Sequence, residues 1–302
     1  MGLSAAAFLR QMGHSVTVFE AMPKAGGMLR YGIPEYRLPK EVLDQEIELI
    51  ERMGVNLISN TKIGVDIPFE TVKQDFDAVL IGIGAWVSTG VGCPGEDSEG
   101  VIGGIDFLRK VVRNEYIDLG EKVAIVGGGN TAMDACRTAV RLGAKEVYNI
   151  YRRTKDEMPA DMVEIVEAEE EGVIFKNLTN PAEVIADENG HVKQVKLQVM
   201  ELGEPDASGR RRPEATGETI TLECDQVIVA VGVSPNPLVP QSIEGLELGR
   251  KNTIAVNDQM QSSIEEIYAG GDIVRGGATV ILAMGDGRKA ALNMSEKLLN
   301  KK

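Results

Sequence analysis

The fold is decided by the stretch Val123-Ala124-Ile125-Val126-Gly127-Gly128-Gly129-Asn130-Thr131-Ala132-Met133-Asp134. An apolar run leads into three glycines, and a helical pattern follows directly, which is the G-x-G-x-x-A arrangement of a dinucleotide-binding strand, turn and helix. Gly127 permits the tight turn, Gly129 lets a pyrophosphate approach the backbone, and Ala132 lets the helix pack on the strand. The N–H groups at the helix start then hold the phosphates. The residues predicted to line this site are Gly127, Gly128, Gly129, Asn130, Thr131 and Asp134.

The next predicted strand ends in Arg152 and Arg153, at the place where an NAD-binding fold of this type carries Asp or Glu. A planar guanidinium binds phosphate in a bidentate manner. The arginine pair therefore favours NADP, with its 2′-phosphate, over NAD. The alternative is that one of the two arginines is merely a charged surface residue.

Short apolar runs that end in glycine alternate with helical patterns along the chain. Predicted strands lie at 15–20, 76–84, 122–129, 146–153, 224–232 and 266–272, and predicted helices at 3–12, 40–53, 130–142 and 161–171. This alternation indicates βαβ units and parallel sheets. The segment 174–224 instead alternates polar and apolar residues around Asn189-Gly190, and so predicts an antiparallel meander.

A second dinucleotide site is predicted at the start of the chain. Gly2 and the helical residues after it look like the last glycine and the helix of another G-x-G-x-x-G motif. The first two glycines of that motif, and the strand before them, would lie outside this chain. Glu20 ends the next strand, where a carboxylate would accept hydrogen bonds from an adenosine ribose. The chain is therefore expected to hold two related nucleotide-binding folds.

The charge and residue counts exclude several classes of function. The 302 residues carry 32 Lys plus Arg against 46 Asp plus Glu, a net charge of −14, which argues against binding nucleic acid or an anionic membrane surface. Three widely spaced cysteines and two histidines give no disulfide framework and no histidine metal site. We therefore expect no metal site. The sequence also has neither a membrane-spanning run nor a signal-peptide pattern, so we expect a cytoplasmic protein.

The run GGMLRYGIPEYRLPK at 26–40, followed by GGGNTAMD and YRR, resembles the glutamate synthase small-subunit (beta-chain) family of FAD/NADPH oxidoreductases. The similarity covers essentially the whole chain. It implies an α/β fold with two Rossmann-like FAD/NAD(P)-binding domains, parallel sheets and antiparallel meanders. It also implies an FAD-binding domain at 1–108 and 236–302, an NADP-binding domain at 109–235, and FAD and NADP as cofactors.

The resemblance also assigns residues to the flavin site. Those that would line the FAD are Gly2, Glu20, Gly27, Met28, Leu29, Gly32 and Ile33. The two crossovers between domains would contain Gly84, Ala85, Trp86, Val231 and Gly232. Gly271 and Asp272 would form the second flavin motif, and the helix that opens near Ala278, Thr279 and Val280 would point its N-terminus at the flavin. Because the cofactors carry the hydride chemistry, no catalytic side chain is named.

The implied function is hydride transfer between NADPH and FAD, followed by electron transfer to an iron–sulfur or other acceptor. Full-length relatives carry an N-terminal iron–sulfur segment and the first FAD strand, so we expect this chain to be N-terminally truncated and its acceptor to lie on a segment or partner subunit outside it. A truncated nucleotide-binding interaction subunit with impaired FAD binding and little turnover is the alternative. A third reading, an NAD-linked dehydrogenase with an organic substrate, lacks a candidate acid–base residue. A sheet edge left open by the missing strand would favour self-association into a homo-oligomer.

Overall fold

The computed structural model describes residues 1–205 and 211–300. The helices are α1 (Gly2–Gln11), α2 (Met28–Tyr31), α3 (Lys40–Arg52), α4 (Phe69–Asp75), α5 (Gly104–Val112), α6 (Asn130–Arg141), α7 (Met162–Glu170), α8 (Leu238–Ser242), α9 (Asp272–Arg275) and α10 (Val280–Asn300). The strands are β1 (Thr17–Phe19), β2 (Asn56–Ile58), β3 (Val79–Ile81), β4 (Val87–Ser88), β5 (Val101–Gly103), β6 (Lys122–Val126), β7 (Glu146–Tyr151), β8 (Ile174–Asn177), β9 (Thr179–Ala186), β10 (Val192–Pro205), β11 (Arg211–Glu223), β12 (Gln226–Val229), β13 (Val233–Ser234) and β14 (Ile267–Ala269). Within these described ranges, no helix combines the length and the apolar character needed to cross a bilayer.

The chain divides into two compact units. The first contains 1–30, 38–87 and 233–302, and the second contains 31–37 and 88–232. These units differ from the two predicted segments at residues 31–37, 88–108 and 233–235. Residues 88–108 belong to the second unit because β5 pairs with β12 and Phe107 lies fully buried in the core of that unit. Which unit binds which cofactor stays a prediction.

The second unit is built on a five-stranded parallel sheet with the order β5-β12-β6-β7-β8. The central strand β6 reads Lys-Val-Ala-Ile-Val, and its last four residues are buried, as expected for a parallel strand covered on both faces. Helix α6 contributes Ala132, Met133 and Cys136 to the core on one face, where they pack with Val123 and Ile125. This packing fixes the start of α6 at the carboxyl end of β6.

The meander predicted over 174–224 is present from β9 onward, as a three-stranded antiparallel sheet with the order β11-β10-β9. Its predicted start was wrong, because the first residues of that segment form β8, which pairs in parallel with β7. The turn between β9 and β10 contains Asn189 and Gly190, and Gly190 adopts a φ of +85°. Val195 and Leu197 of β10 are fully buried against Val184 of β9. The period-two pattern of the sequence is thus explained by a sheet with one buried face.

The first unit contains two separate pairs of parallel strands, β1 with β2 and β3 with β14. Helices α1 and α10 pack together, with Ala5 and Leu9 of α1 buried against Ala291 and Met294 of α10. Tyr268 of β14 belongs to the same cluster. Strand β14 is therefore packed against these two helices.

Candidate functional site

The glycine loop of the second unit connects β6 to α6. Gly127 adopts a φ of +143°, and its N–H donates to the carbonyl of Ile150 at 3.0 Å. A Cβ at Gly127 would lie 2.3 Å from the carbonyl oxygen of Ala230, whereas a Cβ at Gly129 would meet nothing within 4 Å. The first glycine is therefore required by the fold, and the third leaves open space at the backbone. This is the division of roles expected for a pyrophosphate-binding turn.

The first turn of α6 has the properties of an anion-binding helix start. Its N-cap is Gly129, no side chain caps it, and it contains no acidic residue. Asn130 and Thr131 are its first two residues, and Asn130 is exposed. Uncapped N–H groups at the positive end of a helix dipole attract phosphate. Gly128, Gly129, Asn130 and Thr131 are thus brought together at one end of the sheet.

The two predicted arginines follow β7 directly but have different environments. Arg152 is exposed and forms no ion pair with any residue that the structure describes. Arg153 is 9% exposed, and its Nε is buried without a hydrogen-bond partner among the described residues. β7 is parallel to β6 and adjacent to it, so both arginines follow the carboxyl end of their strand, as the glycine loop does, and lie on the same side of the sheet as that loop. Arg152 is the more accessible of the two to a ligand.

Asp134 already has a protein partner. It is 4% exposed, and both of its carboxylate oxygens accept from Arg37 Nη1, at 2.9 and 2.8 Å. Burial raises the pKa of Asp134 to about 6, although the hydrogen bonds from Arg37 oppose this shift. Contact of Asp134 with a cofactor stays a prediction.

In the first unit, Glu20 lies immediately after β1. Its Oε1 accepts from the N–H of Met22 at 2.9 Å, and burial raises the pKa of its carboxyl group. Gly2 begins α1, which has no side-chain cap and no acidic residue in its first turn. A carboxylate after the strand and an uncapped helix start before it are the elements that a Rossmann fold uses for ribose and pyrophosphate.

The predicted flavin-lining run 27–33 is divided between the two units. Gly27, with a φ of +56°, precedes α2, and Met28 and Leu29 belong with it to the first unit. Gly32 and Ile33 lie in the segment 31–37, which belongs to the second unit. The structure therefore does not place these five residues in one compact unit.

The two predicted crossovers coincide with the borders of the units, between residues 87 and 88 and between 232 and 233. Gly84 has a φ of +71°, and the indole Nε1 of Trp86 donates to the carbonyl of Ile83 at 3.0 Å, while Ala85 is buried. Val231 is 44% exposed, and Gly232 has a φ of +139°. These residues therefore lie in the two segments that flank the long stretch 88–232 of the second unit.

The second flavin motif forms a tight turn after β14. Gly271 adopts a φ of +71°, and its N–H donates to Asp286 at 3.0 Å. The Asp272 carboxylate accepts from the N–H of Ala278 at 3.2 Å, and burial raises its pKa. Helix α10 begins at Val280, after Thr279, whose Oγ1 accepts from the N–H of Leu282 at 3.4 Å. Thr279 therefore acts as the cap of the helix predicted to face the flavin.

Two supporting residues were not found by sequence reasoning. Asp286 is 3% exposed and accepts from Arg275 Nε and Nη2, both at 2.6 Å, in addition to Gly271. Asn149 is fully buried, and its Nδ2 donates to the carbonyl of Gly127 at 2.8 Å. A polar residue inside the apolar pattern of β7, and an aspartate on the buried side of α10, are the signals that could have indicated them.

The profile of the family described as pyridine nucleotide-disulphide oxidoreductase matches residues 2–287. The chain is 45% identical over 303 residues to the beta subunit of the NADP(+)-dependent formate dehydrogenase of Moorella thermoacetica, covering 98% of this chain and 42% of that one. It is 38% identical over 306 residues to the glutamate synthase [NADPH] small chain of Escherichia coli (strain K12), covering 96% of this chain and 65% of that one. This chain thus spans less than half the length of the first relative and about two thirds of the second.

Solved structures show the same fold. FprA of Mycobacterium tuberculosis in complex with NADPH superposes with a TM-score of 0.84 at 19% identity, over 99% of this chain and 82% of that one. Thioredoxin reductase of T. acidophilum gives a TM-score of 0.75 at 20% identity, over 99% and 95% of the two chains. The predicted α/β fold and the resemblance to glutamate synthase small chains are confirmed. FAD and NADP, the predicted cofactors, are confirmed at the level of the family. The chain belongs to the pyridine nucleotide-disulphide oxidoreductase family.

Proposed function

We propose that this chain is an FAD- and NADP-dependent oxidoreductase module that transfers hydride between NADPH and FAD and passes the electrons to an iron–sulfur or other acceptor. One observation carries the proposal. Each compact unit contains a helix whose N-terminus has no side-chain cap, together with a side chain that could bind the adenosine ribose of one cofactor or the phosphate on it. That side chain is Glu20 in the first unit and Arg152 in the second. A carboxylate suits two ribose hydroxyls, and a guanidinium suits a 2′-phosphate.

The second unit is the proposed NADP-binding unit. The open space at Gly129 and the uncapped N-terminus of α6 would receive the pyrophosphate. Arg152, which lacks an ion-pair partner among the described residues, would bind the 2′-phosphate. Arg153 is a second candidate, because its buried Nε lacks a hydrogen-bond acceptor among those residues.

The first unit is the proposed FAD-binding unit. Gly2, Glu20, Gly27 and Asp272 would hold the ribose, pyrophosphate and ribityl parts of FAD, in the manner of the family. The first turns of α10 also expose apolar side chains, with Ile281 76% and Met284 51% exposed. A flavin ring would cover apolar surface of this kind.

The bound cofactors would supply the hydride donor and the hydride acceptor, so the protein needs no acid–base side chain for that step. The chain's own residues would bind and orient. Gly127 and Gly271, both at positive φ, shape the two turns, and Asp286 fixes the second of them through Gly271. The N-terminus of α10, capped by Thr279, would favour negative charge placed before it.

The acceptor and the partner are further proposals. The formate dehydrogenase relative is named a beta subunit and the glutamate synthase relative a small chain, so each is part of a larger enzyme. We infer that this module likewise delivers electrons to another segment or subunit. Its cytoplasmic location and self-association stay predictions.

The test is an absorbance spectrum of the purified protein supplied with FAD, before and after addition of NADPH without oxygen. Flavin bands in the blue and near ultraviolet that persist after gel filtration and bleach with NADPH are the expected result. A protein that binds NADP⁺ by calorimetry but retains no flavin would overturn the proposed reaction and favour the nucleotide-binding interaction subunit. Bleaching by NADH as readily as by NADPH would overturn the choice of NADP.

A further inference from the structure

Residues 152–161, here called the arch, connect β7 to α7 and begin with Arg152. The arch is attached to the glycine loop at its far end. The N–H of Ala160 donates to the carbonyl of Gly128 at 3.1 Å, and the N–H of Asp161 donates to Oδ1 of Asn130 at 2.8 Å. Two separate hydrogen bonds therefore join the arch to the turn proposed to bind the pyrophosphate.

The arch is also braced internally. Thr154 and Glu157 form a reciprocal capping box around the short 3-10 turn Lys155–Glu157, with the N–H of Thr154 donating to Glu157 Oε2 at 3.0 Å. Met158 and Ala160 are buried in the core of the second unit. The arch is consequently fixed to the core of the second unit. It therefore differs from a lid, which would have to move to close over a ligand.

Tyr151, the last residue of β7, contacts both the glycine loop and the arch. Its ring lies so close to Gly128 that a Cβ there would be 2.4 Å from its Cε2. Its hydroxyl donates to the carbonyl of Glu157 at 2.9 Å. A single half-buried side chain thus supports the pyrophosphate turn with its ring and the middle of the arch with its hydroxyl.

We propose that Tyr151 is a positioning residue for NADP selectivity, which holds the arch so that the adjacent Arg152 faces the 2′-phosphate of a nucleotide seated on the glycine loop. This inference rests on the proposed NADP site. Loss of the hydroxyl contact would loosen the arch and weaken the contribution of the 2′-phosphate. The part of the nucleotide that NAD⁺ and NADP⁺ share would still be bound, because the glycine loop and the aromatic ring at position 151 would both remain.

The test is calorimetric titration of the full chain and its Tyr151→Phe variant with NADP⁺, NAD⁺ and 2′,5′-ADP. One neutral hydrogen bond contributes about 1 kcal/mol, so we expect affinity for NADP⁺ and 2′,5′-ADP to fall about fivefold. We expect the affinity for NAD⁺ to stay within about twofold of the wild-type value. Thr154→Val, which removes the side-chain hydroxyl of the capping box that braces the arch, should change the preference in the same direction.

The matched control is Tyr148→Phe. Tyr148 lies on the same strand, and its hydroxyl is bonded to Glu146 rather than to the arch. Its removal should leave the NADP⁺ preference unchanged. An equal loss for both nucleotides in Tyr151→Phe, or an unchanged preference, would overturn the positioning role. A wild-type protein without preference for NADP⁺ would overturn the proposed NADP site itself.

Discussion

Arg37 Nη1 donates to both carboxylate oxygens of Asp134, at 2.9 and 2.8 Å. The neighbouring Tyr36 lies under Arg141, whose guanidinium carbon is 3.9 Å from the ring centroid. Residues 31–37 belong to the second unit, although the chain on either side of them belongs to the first. These polar contacts hold that segment to α6.

Replacement of Arg37 by Met should destabilise the second unit. The side chain of Asp134 is 6% exposed, and removing one partner of a buried ion pair leaves a poorly solvated charge, at a cost of about 3 kcal/mol. The midpoint of urea unfolding, followed by circular dichroism, measures the loss. The comparison is Arg52→Met, because Arg52 pairs with Glu48 on an exposed helix face and should contribute less than about 1 kcal/mol. Equal effects of the two substitutions would contradict this prediction.

The two adjacent glycines of the loop should respond differently to alanine. A Cβ at Gly128 would overlap the ring of Tyr151, so Gly128→Ala should cost about 1–3 kcal/mol of stability. Gly129 has ordinary backbone angles and open space, so Gly129→Ala should leave stability within about 0.5 kcal/mol of wild type. Its methyl group would instead obstruct the pyrophosphate and weaken NADP⁺ binding. Thermal melts and NADP⁺ titrations of both variants separate the effects, and full affinity in Gly129→Ala would show that the pyrophosphate does not pass over this residue.

Asp286 should make the folding stability of the first unit depend on pH in the acid range. Its hydrogen bonds to Arg275 hold the pKa of its carboxyl group below the ordinary value, because they favour the ionised form. The resulting stabilisation is present above the unfolded-state pKa of about 3.9 and is lost as the pH falls through the lower folded-state pKa. Asp286→Asn should therefore lower Tm at pH 7, and its difference from wild type should shrink below about pH 4.

The control for this experiment is Glu296→Gln, which changes an exposed carboxylate of the same helix. It should leave Tm close to the wild-type value at both pH values. A deficit of Asp286→Asn that stays constant down to acid pH would mean that the side chain contributes through packing rather than through its charge.

Local patterns predicted much of this structure. The helix predicted at 130–142 is observed as Asn130–Arg141, and the one at 40–53 as Lys40–Arg52, because apolar spacing and glycine positions determine such elements locally. The strand predicted at 15–20 is present but shorter, as Thr17–Phe19. The glycine loop followed from the same local reasoning.

What the sequence did not reveal are the long-range polar contacts. Arg37 and Asp134 are 97 positions apart, and Gly271 and Asp286 lie on opposite sides of a turn and a helix start. Neither pair forms a spacing that a helix or strand would repeat. The resemblance assigns Gly32 and Ile33 to the flavin, and nothing local in the segment 31–37 indicates that it belongs to the second unit.

Arg152→Ala should weaken the binding of NADP⁺ much more than the binding of NAD⁺. Arg152 is exposed and has no ion-pair partner among the described residues, so its loss should leave the fold intact. Hydrogen bonds to a charged group contribute about 1.5–3 kcal/mol, which corresponds to a roughly 10- to 150-fold weaker affinity for NADP⁺. Affinity for NAD⁺ should change little, because NAD⁺ lacks the 2′-phosphate.

The measurement is a titration with both nucleotides, with Arg113→Ala as the control, since Arg113 is an arginine of the same unit that pairs with Glu115. That variant should bind NADP⁺ as wild type does. If Arg152→Ala weakens both nucleotides equally, the guanidinium contacts a part they share, and the 2′-phosphate must be read elsewhere. The buried Arg153, whose Nε has no acceptor among the described residues, would then be the next residue to replace.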